Sequence, residues 1–249
     1  YNTVAGLLDT LEDMVSRRFD VNLSGGGDLS TKAEAEASYY AMLLPFLVLT
    51  FLFSGCLGIA PESIAGEKER GTIATLLVTP IRRSELVIGK ICSLSVLSAL
   101  SAISSFIGTF LAMPKLMGGN IGDMFAAYTA GDYLALFAVM LSAVLLIVCI
   151  ISILSAYAKS VKEATAFAMP VMIIVMLLGL SSMIFGTVKN PAAFLIPAYN
   201  CVQMMSQIFS RALSPVCLVI TLASNAVYIG LLVFALTKMF KSEKCMFNN

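Results

Sequence analysis

Five stretches of this chain run for more than twenty residues without one Asp, Glu, Lys or Arg, at about 38–60, 91–114, 133–158, 164–188 and 212–237. A helix needs about 20 apolar residues to cross a hydrocarbon core of roughly 30 Å, so each stretch is long enough to span a membrane. Pro45 and Pro170 fall inside two of them. They do not veto the assignment, because neighbouring helices can satisfy the carbonyls that a proline frees. Composition agrees. The chain is 59% apolar and 12% charged, whereas soluble domains are nearer half apolar and a quarter charged. The expected fold is all-α and polytopic, with five transmembrane helices and the chain ends on opposite sides.

Several classes of chemistry drop out on residue counts alone. Sixteen basic and fifteen acidic side chains leave a net charge of +1, which is no electrostatic footprint for nucleic acid. The chain has no histidine, which removes His-based triads, imidazole metal ligands and His proton switches together. The six cysteines, Cys56, Cys92, Cys149, Cys201, Cys217 and Cys245, show no CxxC spacing. Most sit in or beside spans, where cysteine behaves as a small hydrophobe, so no metal site is expected. The phosphate-cradling motif Gly-x-x-x-x-Gly-Lys-Ser/Thr is missing, so this chain is not expected to hydrolyse ATP. No acid lies within a span to serve an intramembrane protease, or the coupling site of a secondary transporter.

Basic residues give the expected orientation. Lys68, Arg70, Arg82, Arg83, Lys90, Lys159, Lys162, Lys238, Lys241 and Lys244 fall on one side, in short segments. The other side holds fewer, Arg17, Arg18, Lys32, Lys115, Lys189 and Arg211, in longer segments. The richer side is expected to be cytoplasmic. Residues 1–37 then form an extracytoplasmic segment and residues 239–249 a cytoplasmic tail. The first of these begins with Tyr1 rather than Met, carries Leu7, Leu8, Leu11, Met14 and Val15 at helical spacing, and then meets a break at Ser24–Asp28. It reads as the end of a larger extracytoplasmic region.

The loop expected at 61–90 carries the most information. It opens with charges, Glu62, Glu67, Lys68, Glu69 and Arg70, and continues with Ile73, Leu76 and Leu77 at i, i+3 and i+4. That pattern predicts a short amphipathic helix over Gly66–Thr79, stopped by Pro80. The run Glu67-x-Glu69-Arg70-Gly71-Thr72-x-x-x-Leu76-Leu77-x-Thr79-Pro80, followed by Arg83-Ser84-Glu85-Leu86 and Gly89-Lys90, resembles the coupling-helix region of type-2 ABC exporter permeases, the ABC-2 family. Ala158-Lys159-Ser160-Val161-Lys162-Glu163-Ala164 is similar to that family's short cytoplasmic turn. Ile196-Pro197-Ala198-Tyr199-Asn200 is similar to its Pro-x-x-Asn element before the last span. Among the branches, the sodium-efflux permeases are the most similar.

The resemblance implies a membrane permease subunit for residues 38–238, working with a separate ATP-binding cassette subunit that binds ATP and Mg. It implies a second copy or a paralogous permease beside it, in the plasma membrane of a prokaryote. Glu67, Glu69, Arg70 and Thr72 would lie at the contact with the ATP-binding subunit, and Gly71 would permit close backbone approach. Leu76 and Leu77 would anchor the helix to the spans, with Thr79 and Pro80 closing it. The family usually has six spans, so an N-terminal one is expected upstream of Tyr1. Ser95, Ser98, Ser105 and Thr109 share one face of the second span, where they can serve close helix packing or line a substrate path. A secondary transporter or a non-transporting membrane scaffold is the alternative reading.

Overall fold

A computed structural model of the chain describes residues 32–72, 83–117, 128–186 and 190–241. Among these the regular structure is helical: α1 Lys32–Glu69, α2 Arg83–Met117, α3 Ala130–Tyr157, α4 Val161–Phe185, a 3-10 turn Pro191–Leu195, α5 Tyr199–Phe209 and α6 Pro215–Lys241. All but α5 and the 3-10 turn are long and apolar enough to cross a membrane. The all-α fold with five candidate spans is therefore the observed one.

The third span is the centre of the bundle. It packs most extensively on α6 and also meets α2, α4 and α5. Two-thirds of its most apolar window is buried inside the chain, against 22% for α4 and α6. Val139, Val144, Ile147, Val148, Cys149 and Ile151 of α3 form its core, with Leu52 and Phe53 of α1 in the same cluster. Small residues set the closest approaches. A Cβ at Gly179 on α4 would lie 3.0 Å from the Phe46 ring and 3.3 Å from the Phe46 Cα on α1. The Ser182 hydroxyl of α4 reaches the Met42 carbonyl of α1 at 3.5 Å.

The first helix differs from its expected bounds. The loop anticipated from residue 61 is helix through Glu69, continuous with the span before it and with Pro61 inside it. Pro61 withdraws one backbone donor and crowds the carbonyl four residues before it, at a cost of about 3 kcal/mol that other contacts must outweigh. Ile64 and Ala65 are buried, and Lys90 Nζ donates to the Ser63 carbonyl at 3.0 Å, so tertiary contacts hold the extra turns. The helix ends at Gly71, whose φ of 73° lies in the left-handed region. That is the usual conformation of a residue just past a helix C-terminus, and it favours glycine. At 38 residues, α1 is about 57 Å long and extends well past a 30 Å core.

The connection between the fourth and fifth spans is not a plain loop. After Phe185 the chain makes the 3-10 turn and then α5, in which every residue from Asn200 to Phe209 is buried. Non-helical backbone at membrane depth survives only where protein covers it. Here α3, α4 and α6 pack around the inserted segment.

Candidate coupling site and buried polar centre

Four ends meet at one end of the bundle: the last turns of α1, the start of α2, the end of α3 and the start of α4. The charged run anticipated as a docking surface is largely committed to this junction. Glu67 Oε2 lies 2.6 Å from Lys90 Nζ on α2. Lys68 Nζ donates to the carbonyls of Ala156 and Ala158 at 3.0 and 3.1 Å. Ala156 lies in the last turn of α3 and Ala158 is its C-cap, at the end where the helix dipole is negative and a cation is favoured. Glu69 Oε2 accepts from the backbone N–H of Val161 at 3.0 Å, the first residue of α4, where the dipole is positive. Adjacent side chains of opposite charge thus hold opposite ends of two successive helices.

The turn between those helices is shaped to be held. Ser160 caps α4 by accepting from the Glu163 N–H, and Glu163 Oε2 accepts from the Lys159 N–H at 2.7 Å. Ala65 of α1 is buried with Ala158 and Ala164 in a small cluster of its own. A Cβ on Gly66 would meet a Val161 methyl at 3.4 Å, so Ala65 and Gly66 let the turn come close to α1.

Arg70 differs from its neighbours. Just past the end of α1, its guanidinium pairs back with Glu62 of that helix, and the two side chains remain 65% and 56% exposed. Gly71 has open space where a Cβ would be, and its left-handed φ of 73° ends the helix. Thr72 Oγ1 donates to the Glu67 carbonyl at 3.1 Å. Leu76, Leu77, Thr79 and Pro80 lie outside the described residues. On the second span, Ser95 and Ser98 are buried, and Ser95 Oγ donates to the Ile91 carbonyl at 2.6 Å. Nothing is described of the Ser105 and Thr109 side chains.

A second polar constellation lies within the bundle, and it was not anticipated. Asn200, at the start of α5, donates through Nδ2 to Asn225 Oδ1 on α6 at 2.8 Å. Asn225 Nδ2 in turn donates to Ser142 Oγ on α3 at 3.0 Å. Asn200 Oδ1 also accepts from the Cys201 N–H at 2.7 Å. Ser142 is about 18 Å along α3 and Asn225 about 15 Å along α6, counted from the helix starts at 1.5 Å per residue. Both therefore lie near the middle of their helices. Ala198, just before Asn200, has a φ of 66°, a conformation that costs a non-glycine residue about 1–3 kcal/mol. At its other end α5 is tied to the start of α3, where Tyr128 OH donates to the Phe209 carbonyl at 2.9 Å. The guanidinium of Arg211 sits 5.7 Å from the centre of the Tyr128 ring.

Five apolar helices joined by charged clamps at one end and by an inserted helix towards the other make a multi-pass membrane protein. A family model described as "ABC-2 family transporter protein" matches residues 7–240, and the chain belongs to that family. Over 131 residues it is 31% identical to the ABC transporter permease protein NatB of Bacillus subtilis (strain 168), covering 50% of this chain and 33% of that protein. The aligned stretch thus spans about a third of that relative's length.

Proposed function

We propose that this chain supplies the membrane path of an ATP-binding cassette exporter, with ATP and Mg bound by a separate subunit. The observation that carries the reading is the family match across the spans. The charged junction at the end of α1 gives it a physical route. A push on the Arg70–Gly71 end, and on the segment through Leu76, Leu77, Thr79 and Pro80 that follows, meets α2 through Lys90 and the α3–α4 turn through Lys68 and Glu69. Coupling of this kind needs the ATP-binding subunit to hold that end differently in its two nucleotide states. In this arrangement the exposed Arg70 meets the partner, and Glu67 and Glu69, through their bonds to Lys90 and to the Val161 N–H, transmit the push. The charged junction lies in the cytoplasm and the Tyr128–Arg211 end faces outside, in the plasma membrane of a prokaryote. A second copy or a paralogous permease completes the path, and sodium efflux is the activity that the sequence resemblance implies.

The test is reconstitution of the full-length permease in liposomes with its cognate ATP-binding subunit. The expected result is ATP-dependent movement of ²²Na⁺ or of a fluorescent amphiphile, and no ATP hydrolysis by the permease alone. Full ATPase activity in the purified permease would refute the division of labour. A complex with no ATP-dependent flux of any tested solute would count against transport.

A further inference from the structure

We infer that Lys68 and Glu69 are positioning residues that lock the α3–α4 turn to the end of α1, so that displacement of that end is delivered directly to α3. The inference rests on the ABC-transport reading above and adds a specific route to it. Sequence places these two residues in a run that reads as a partner-docking surface. Both are bonded within the chain instead, the half-buried Lys68 to carbonyls at the end of α3 and the exposed Glu69 to the N–H that begins α4.

The sign of each charge matches the helix end it meets. Neither contact is interchangeable with the other, because an exchange of the two residues would set an anion against carbonyl oxygens and a cation against a helix N-terminus. The apolar contact of Ala65 with Ala158 and Ala164 makes the same junction, so the turn is held by packing as well as by charge. The helix so gripped is the most buried of the five candidate spans. It also carries Ser142, whose contact with Asn225 continues to α6 and from there to Asn200 on α5. A displacement at Arg70 therefore has a contiguous path of named contacts through α3 to the inserted helix, without passing through α2.

The experiment uses the full-length permease in lipid nanodiscs with its ATP-binding subunit. A bimane probe is placed at Ala130→Cys, at the far end of α3, with Cys92 and Cys245 replaced by serine. In the wild-type background, trapping with ATP and vanadate should change the bimane fluorescence. Lys68→Met should abolish most of that change while ATP hydrolysis continues, and Lys68→Arg, which can still donate to carbonyls, should retain it. In the permease alone, exchanging the two residues (Lys68→Glu with Glu69→Lys) should speed amide hydrogen exchange across residues 157–164 by about tenfold, as loss of helix-end partners opens the turn. Unchanged exchange in the swapped variant overturns the lock. A full ATP-driven signal in Lys68→Met overturns the relay alone. Absence of any ATP-driven signal in a wild type that still shows ATP-dependent flux overturns the relay alone, whereas loss of that flux overturns the transport reading.

Discussion

Asn225 makes three contacts in the bundle, accepting from Asn200 and donating to Ser142 Oγ and Cys201 Sγ. Replacing it with alanine leaves the Asn200 amide buried without that acceptor. An orphaned buried polar group costs about 1–3 kcal/mol, while side-chain hydrogen bonds within membrane bundles average nearer 0.6 kcal/mol. Asn225→Ala should therefore destabilise by about 1–2 kcal/mol. Ser142→Ala should cost only about 0.5 kcal/mol, since it removes one acceptor. Unfolding midpoints of the purified variants in detergent check the order, and an equal loss in both would contradict it. At this scale the sequence was partly legible. Asn200 stands in a recognisable Pro-x-x-Asn element. Asn225 does not stand out, because a search for charges passes over an amide in an apolar run. That the two meet is a fact of packing between residues 25 apart, which no local pattern contains.

Length and apolarity are local properties, and they are why five helices could be read directly from residue order. Where a helix stops is less local. Pro61 and the charges after it look like the start of a loop, yet Lys90, the buried Ile64 and Ala65, and the α3–α4 turn hold those residues helical to Glu69. The inserted α5 was missed for a different reason. Asn200, Gln203 and Gln207 follow helical spacing, but a polar segment between two spans reads as an outer loop, and here those residues are buried. Glycines separate packing from propensity at this scale. Gly179→Ala gains helix propensity of up to about 1 kcal/mol. Its Cβ, however, would sit 3.3 Å from the Phe46 Cα, a backbone atom that cannot swing aside. Overpacking of that kind costs about 1–3 kcal/mol, so the net change should be destabilising. Gly58, also on a span, has open space around a new Cβ, and Gly58→Ala should be neutral or stabilising. Melting of the two variants decides the matter, and a Gly179→Ala variant as stable as Gly58→Ala and no less stable than wild type would mean that α1 and α4 do not approach as described.

For the whole molecule, orientation and coupling are the claims that matter. The proposed orientation puts Asp28 outside and Lys241 in the cytoplasm, following the excess of Lys and Arg in the short loops. Cysteine at each position, in a background without native cysteines, should react with an impermeant maleimide in intact cells only at position 28. Labelling at 241 without permeabilisation would invert the topology. The central claim is that the charged end of α1 receives an ATP-binding partner, with Arg70 as the exposed contact while Glu67, Lys68 and Glu69 are bound within the chain. The affinity of the cognate ATP-binding subunit for the reconstituted permease tests it most directly. Arg70→Ala should raise Kd by about tenfold, ~1.4 kcal/mol, as expected for losing a charged hydrogen-bonded contact at an interface, while Glu243→Ala in the tail leaves Kd unchanged. Wild-type affinity in Arg70→Ala, or an equal loss in Glu243→Ala, would contradict the account.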